Sequence, residues 1–145
     1  EFAEQKNTKI HLPVDVVCAK EFKEGAESKI FAIDSISDEY EGLDSGPKSL
    51  EKFKKIIMSS KTILWNGPVG VFELESFSKG TQEIGTAIAE STKSGAFSLV
   101  GGGDSVAAVK KFKLENEVSY VSTGGGAMLE SLEGKILPGI GALKK

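Results

Sequence analysis

Three glycine-rich turns hold most of the groups in this sequence that could do chemistry: residues 66–70 (NGPVG), 101–104 (GGGD) and 122–126 (STGGG). The last two each run straight into a predicted helix, so bare backbone N–H groups meet the partial positive charge of a helix N-terminus. Such an arrangement binds phosphate. The alternative is that each glycine only permits a tight turn with positive φ. Two such turns in one short chain favour phosphate binding.

Two carboxylates stand beside these turns. Asp104 follows its glycines at the predicted end of a strand, where a carboxylate can hold a magnesium ion that bridges phosphate oxygens. Spacing alone favours the other role of Asp104, as the N-cap of the helix that follows. Glu73 ends the loop after Trp65 and could accept ribose hydroxyls, or it could simply be solvated. Residues 80–85 have the glycine spacing of a P-loop, but they lack the required Lys-Ser/Thr and lie in a predicted helix.

Other reactive side chains give no second site. His11 is the only histidine and lies in an apolar segment, which favours a core or edge position over a catalytic or metal-binding one. Cys18 has no basic cluster or helix N-terminus beside it, which favours a small buried hydrophobe. One histidine and one cysteine cannot form a zinc cluster, and no Ser/His/Asp set can be assembled.

The elements that must position these turns alternate as strand, glycine turn and helix from residue 42 onward, which is typical of a parallel α/β sheet. Ligands of such sheets bind beyond the carboxyl ends of the strands. The sequence therefore predicts a three-layer, Rossmann-like α/β domain. The predicted strands are 9–17 (interrupted by Pro13), 29–34, 62–65, 97–100 and 118–122. The predicted helices are 47–60, 79–94, one starting near Asp104, and 127–132. Residues 37–41 are predicted to form a loop, and residues 134–145 are predicted to form an irregular tail.

The length and composition of the chain predict a single compact core and argue against several classes of binding partner. The chain has 145 residues, of which 39% are hydrophobic and 27% charged, which predicts one compact core without an internal boundary. No apolar run approaches the ~18 residues that a membrane span needs. The net charge of −3 argues against a nucleic acid or an anionic membrane as partner.

The basic residues and the cysteine content add two constraints. All 18 basic residues are lysine, so the arginine fork that usually clamps polyanions is absent and backbone amides or groups outside this chain must replace it. A single cysteine permits no internal disulfide, and no targeting segment is visible, which indicates a cytoplasmic protein. Because the sequence does not begin with Met, we expect it to be a fragment.

The motifs, in their order along nearly the whole chain, resemble those of the phosphoglycerate kinase family. The run WNGPVGVFE is the most specific of them. The matching segments are LPVD at 12–15, GLDSGP at 42–47, WNGPVGVFE at 65–73, GGGDS at 101–105, STGGGA at 122–127, LEGK at 132–135 and LPG at 137–139.

The resemblance implies reversible phosphoryl transfer from 1,3-bisphosphoglycerate to MgADP, giving 3-phosphoglycerate and MgATP in glycolysis. It places Gly42 and Leu43 beside adenine, Glu73 on the ribose hydroxyls, and Asp104 on Mg²⁺. The implied catalytic amides, facing the transferring phosphoryl group, are those of Gly103, Gly124 and Gly125. The full nucleotide-binding set that it implies is Gly42, Leu43, Asn66, Gly67, Val69, Glu73, Gly102, Gly103, Asp104 and Ser105.

Departures from the family pattern limit this assignment. The family's N-terminal lobe, which holds the phosphoglycerate with a basic patch, has no counterpart here, and neither has the glycine-lysine segment that opens the nucleotide lobe. The resemblance therefore implies that residues 1–145 are the C-terminal portion of an incomplete nucleotide-binding domain. We expect no turnover from this chain alone, marginal stability or self-association, and a monomeric full-length protein. The alternative is a non-catalytic nucleotide-binding or complementing module.

Overall fold

A computed structural model describes residues 1–143 and divides the chain into two compact units. The first unit comprises residues 1–56 and 69–84, and the second comprises residues 57–68 and the chain from residue 85 onward. The prediction of one core without an internal boundary is therefore wrong. The physical reason is strand pairing: the strands form two separate sheets of three strands each, and no pairing links one sheet to the other among the described residues.

The first unit contains an antiparallel sheet of order β2-β1-β3, built from β1 (Asp15–Ala19), β2 (Ser28–Ala32) and β3 (Glu41–Ser45). Two predictions fail here. The strand predicted at 9–17 begins only at Asp15, after Pro13, which has no N–H to donate to a ladder. The parallel pattern predicted from residue 42 does not include β3, which pairs antiparallel with β1. Ala19, Leu43 and Phe77 form the core of this unit.

The second unit contains the predicted parallel sheet, of order β4-β5-β6: β4 (Thr62–Trp65), β5 (Phe97–Val100) and β6 (Tyr120–Val121). β4 and β5 match their predicted bounds, whereas β6 is shorter than the predicted 118–122. The α/β class and the parallel sheet are thus confirmed. Val100 and Val109 are fully buried in this unit, and Trp65 is nearly so.

The helices begin and end close to the predicted residues. Two of them, α2 (Pro47–Ser59) and α3 (Lys79–Lys93), contribute residues to both units. Pro47 opens α2 as predicted, since proline suits the first turn. Residues 80–85 lie inside α3, which confirms that they are no P-loop. The helices are α1 (Phe2–Gln5), α2 (Pro47–Ser59), α3 (Lys79–Lys93), α4 (Gly103–Lys111), α5 (Gly125–Leu132) and α6 (Pro138–Leu143), with one 3₁₀ turn at Glu75–Phe77.

The prediction of an irregular tail is wrong for residues 138–143, which form helix α6. Pro138 opens this helix, and the Gly141 amide donates to the Leu137 carbonyl at 2.8 Å. The last two residues of the predicted tail, Lys144 and Lys145, lie outside the described residues. Within residues 1–143, none of the helices has the length and apolar character that crossing a bilayer requires.

Candidate functional site

The turns that follow β4, β5 and β6 lie side by side at one edge of the second unit's sheet, which we call the carboxyl edge. The ladder continues one residue past the strands: the Gly101 amide donates to the Trp65 carbonyl at 3.0 Å, and the Ser122 amide donates to the Val100 carbonyl at 2.8 Å. The three glycine-rich turns singled out in the sequence therefore begin at the same level of the sheet, as expected for parallel strands.

Two of these turns touch through their backbones. A Cβ placed on Gly125 would lie 2.3 Å from the amide nitrogen of Gly102 and 2.8 Å from its Cα. Gly102 has φ of +90°, which disfavours any residue with a side chain. Gly125 is thus required for packing and Gly102 for its backbone conformation.

Helices α4 and α5 begin at these turns without side-chain caps. Their N-cap residues are Gly102 and Gly124, and neither makes a side-chain hydrogen bond to the helix. The expectation that Asp104 serves as N-cap is wrong, because it is the second residue of α4 and its side chain is exposed. First-turn N–H groups of a helix lack intrahelical partners, so an uncapped start is suited to an anion.

Asn66, Gly67 and Ser105 connect the first glycine-rich turn to the second. The Gly67 amide donates to the Ser105 Oγ at 2.6 Å, and the Trp65 Nε1 donates to the Gly67 carbonyl at 2.8 Å. The Asn66 Oδ1 lies 2.6 Å from where a Cβ of Gly102 would stand. Ser105 is 1% exposed, so its side chain supports the turn, and direct contact with phosphate stays a prediction.

Magnesium has one candidate ligand at this edge. No group of three or more His, Cys, Asp or Glu side chains that could hold a metal occurs within residues 1–143. A magnesium ion carried by nucleotide phosphates needs only one or two protein carboxylates, and the exposed Asp104 fits that requirement. The residues therefore suit an ion that arrives with the nucleotide.

In the first unit, the structure brings Gly42, Leu43 and Val69 to one open groove of about 250 Å³. The Leu43 side chain is 2% exposed and belongs to the core, while its carbonyl accepts the Val71 amide at 2.8 Å. Glu73 is exposed and does not line this groove. Its predicted contact with ribose stays a prediction.

A buried aspartate, Asp44, also lines this groove. Asp44 accepts the amides of Gly80, in the first turn of α3, at 2.7 Å and of Ser45 at 2.8 Å. Burial raises its pKa to about 6 against these two hydrogen bonds; Glu83 adds to the rise and Lys79 opposes it. The only signal in the sequence was its place within the GLDSGP motif.

A second buried aspartate, Asp15, binds the first turn of α2. Its carboxylate accepts the amides of Lys48 at 3.0 Å and Ser49 at 2.8 Å, and the Ser49 hydroxyl lies 2.6 Å from Oδ1. Burial acts to raise the pKa of Asp15, but the hydrogen bonds from Ser49 and Lys48 together outweigh it and hold that pKa below its usual value. Both shared helices thus begin at a carboxylate supplied by a strand.

The two remaining reactive residues take no part in either site. Cys18 is fully buried in β1, and burial raises the pKa of its thiol, so the predicted role as a small hydrophobe is confirmed. His11 is half-buried and precedes β1 instead of lying within it.

Comparison with known proteins gives this geometry a context. The phosphoglycerate kinase family model matches residues 1–135 of the 145. The chain belongs to the phosphoglycerate kinase family. A phosphoglycerate kinase of Porphyromonas gingivalis is 55% identical over 142 residues, which are 98% of this chain and 34% of the relative. One of Thermosipho africanus is 55% identical over 144 residues, or 99% of this chain and 36% of the relative.

Solved structures of the same family share the fold. The phosphoglycerate kinase of Coxiella burnetii superposes with a TM-score of 0.91 at 48% identity, over 99% of this chain and 36% of that one. That of Pyrococcus horikoshii gives 0.75 at 38% identity, over 91% and 32%. The chain thus spans about a third of the length of the phosphoglycerate kinases it matches. The family likeness confirms the fold class and the family predicted from the motifs.

Proposed function

We propose that this chain is the C-terminal portion of the nucleotide-binding domain of a phosphoglycerate kinase. The whole protein would transfer a phosphoryl group reversibly from 1,3-bisphosphoglycerate to MgADP, giving 3-phosphoglycerate and MgATP in glycolysis. The observation that supports this most strongly is the carboxyl edge, where two uncapped helix N-termini start from touching glycine turns in a member of this family.

We assign two binding functions to the chain, each within a single unit. The groove lined by Gly42, Leu43 and Val69 takes the adenine, with Glu73 on the ribose hydroxyls. The carboxyl edge takes the phosphates. The residues assigned to the phosphates are Asn66, Gly67, Gly102, Gly103, Asp104 and Ser105.

This arrangement suits phosphoryl transfer because that reaction needs positioning and fixed positive potential more than a covalent nucleophile. Backbone amides of Gly103, Gly124 and Gly125 supply that potential without lysine or arginine side chains. Magnesium bound with the nucleotide neutralises charge on the phosphate oxygens, and Asp104 is the residue that would hold it.

The isolated chain supplies only part of the machinery. We expect it to bind MgADP or MgATP without turnover, because the phosphoglycerate and the lysines for the transferring group are assigned to parts of the family's chain outside these 145 residues. The whole protein is expected to be a cytoplasmic monomer without nucleic acid or membrane partners. The alternative function is that of a non-catalytic nucleotide-binding or complementing module. An open reading frame that continues far upstream of Glu1 would favour the enzyme. A start codon immediately before Glu1 would favour the module.

Calorimetric titration of nucleotide tests the proposed site. We compare Asp104→Asn with Asp38→Asn, an exposed loop carboxylate that undergoes the same chemical change. Asp104→Asn should weaken MgADP binding about tenfold while leaving magnesium-free ADP binding nearly unchanged, since a hydrogen bond or ligand to a charged group contributes ~1.5–3 kcal/mol. Asp38→Asn should match the wild type in both titrations.

Two results would contradict the proposal. The first is a wild-type chain that binds neither MgADP nor MgATP at millimolar concentration. The second is a full-length protein containing this segment that makes no ATP from 1,3-bisphosphoglycerate and MgADP in a coupled assay.

A further inference from the structure

The segment 69–71, which forms one wall of the adenine groove proposed above, is tied to the rest of the first unit by its backbone. The Val69 and Gly70 amides both donate to the Thr81 Oγ1 at 3.2 Å. The Val69 carbonyl accepts the Ser45 hydroxyl at 3.3 Å, and the Val71 amide donates to the Leu43 carbonyl at 2.8 Å. These four hydrogen bonds tie the wall to β3 and to the first turn of α3.

Of Leu43, Ser45 and Thr81, which bind the segment 69–71, Thr81 binds two backbone amides, and it does so through its side-chain oxygen. It is fully buried, and its single oxygen accepts two amides from consecutive residues. A buried N–H without a partner is costly, so losing this oxygen would release both amides at once. Ser45 and Leu43 anchor one group each, and Leu43 does so through its backbone.

Asp44 fixes the distance between α3 and this wall. A Cβ on Gly70 would lie 2.1 Å from the Asp44 Oδ1, and a Cβ on Gly80 would lie 2.1 Å from the same oxygen. The carboxylate thus fills the space between the wall and the helix, and its Oδ2 accepts the Gly80 amide at 2.7 Å. Thr81 follows Gly80, so the contact between Gly80 and Asp44 helps to set the position of the Thr81 oxygen.

We propose that Thr81 is a positioning residue for nucleotide binding: its hydroxyl oxygen holds the Val69 wall at the groove width that an adenine base requires. This inference rests on the proposed function. Thr81 itself does not line the groove, and it acts only through the amides of Val69 and Gly70. Its effect should therefore be confined to the adenosine end of the ligand.

The test compares Thr81→Val, which keeps the shape and removes the acceptor, with Thr81→Ser, which keeps the acceptor. The matched control is Thr92→Val, which removes a hydroxyl from the same helix. In the second unit that hydroxyl donates to the Ile88 carbonyl and lies 2.7 Å from the Ser98 Oγ. Adenosine, MgADP and pyrophosphate are titrated separately into the 145-residue chain. Thr81→Val should weaken adenosine and MgADP about tenfold and leave pyrophosphate unchanged, whereas Thr81→Ser and Thr92→Val should stay within about twofold of wild type for all three.

Unchanged adenosine affinity in Thr81→Val would overturn the inference, and so would a parallel loss for adenosine and pyrophosphate, which indicates general destabilisation. Amide hydrogen exchange in the unliganded chain separates this inference from the proposed function. The Val69 and Gly70 amides should exchange slowly in wild type and Thr81→Ser and at least tenfold faster in Thr81→Val. Equal exchange in all three refutes the Thr81 anchor, even if nucleotide binds. A wild type that shows this exchange pattern but binds no nucleotide refutes the proposed function and, with it, the adenine assignment.

Discussion

Replacing Gly125 with alanine tests whether the two glycine turns of the carboxyl edge are in contact. The new Cβ would stand 2.3 Å from the Gly102 amide nitrogen, and contacts below 3.0 Å essentially never occur. Both partners are backbone, so the turns must separate by about 1 Å, and overpacking of this kind costs ~1–3 kcal/mol. Alanine at Gly126, the next residue of α5, meets nothing within 4 Å and should gain ~0.5–1 kcal/mol from helix propensity.

The two variants should therefore differ by about 3 kcal/mol in the free energy of unfolding, with Gly126→Ala the more stable. The assay is urea-induced unfolding of the chain followed by tryptophan fluorescence. Trp65 is the only tryptophan, is 5% exposed, and belongs to the unit that contains both turns. If the two variants unfold within about 0.5 kcal/mol of each other, a value typical of unrelated surface changes, the contact between the turns does not exist.

Two further predictions concern the pH dependence and the association of the chain. Because the pKa of Asp44 is raised from 3.8 to about 6 in the folded state, its contribution to stability is full below pH 3.8 and is lost as the pH rises through 6. The unfolding free energy of wild type minus that of Asp44→Asn should fall by about 3 kcal/mol across this window, and a pH-independent difference would show that Asp44 titrates normally. The second unit's sheet exposes Leu64, Phe97 and Tyr120 on one face, and parallel sheets are normally covered on both faces. We therefore expect sedimentation to show concentration-dependent self-association that Leu64→Lys reduces, whereas a monomer at all concentrations would contradict this.

The sequence predicted the second unit well because its signals are local. β4 and β5 are short apolar runs bounded by turn residues, and glycines separate them from helices of clear period. Parallel strands place their carboxyl ends together, so the juxtaposition of the three glycine-rich turns followed from the order of elements alone. The contact of Gly125 with Gly102 did not follow, because it depends on how two turns distant in sequence pack.

The first unit was predicted poorly because its pairing is long-range. β3 contains a single large apolar residue, Leu43, together with a glycine and an aspartate, and so carries no strand periodicity. Its partner β1 lies more than twenty residues earlier in the sequence, and only the fold shows that the two are antiparallel. Asp15 and Asp44 were missed for a related reason: helix caps are usually sought in the adjacent residues, whereas these carboxylates come from strands.

The function proposed for this chain depends on the carboxyl edge binding the phosphates of a nucleotide. The most direct test is a titration of the ¹⁵N-labelled chain with MgADP, monitored through backbone amide chemical shifts. We predict the largest changes at the amides of Gly102, Gly103, Asp104, Gly124 and Gly125, with none at Gly139 in α6. Changes that spare both glycine turns while appearing elsewhere in the chain, or no changes at saturating MgADP, would contradict the claim.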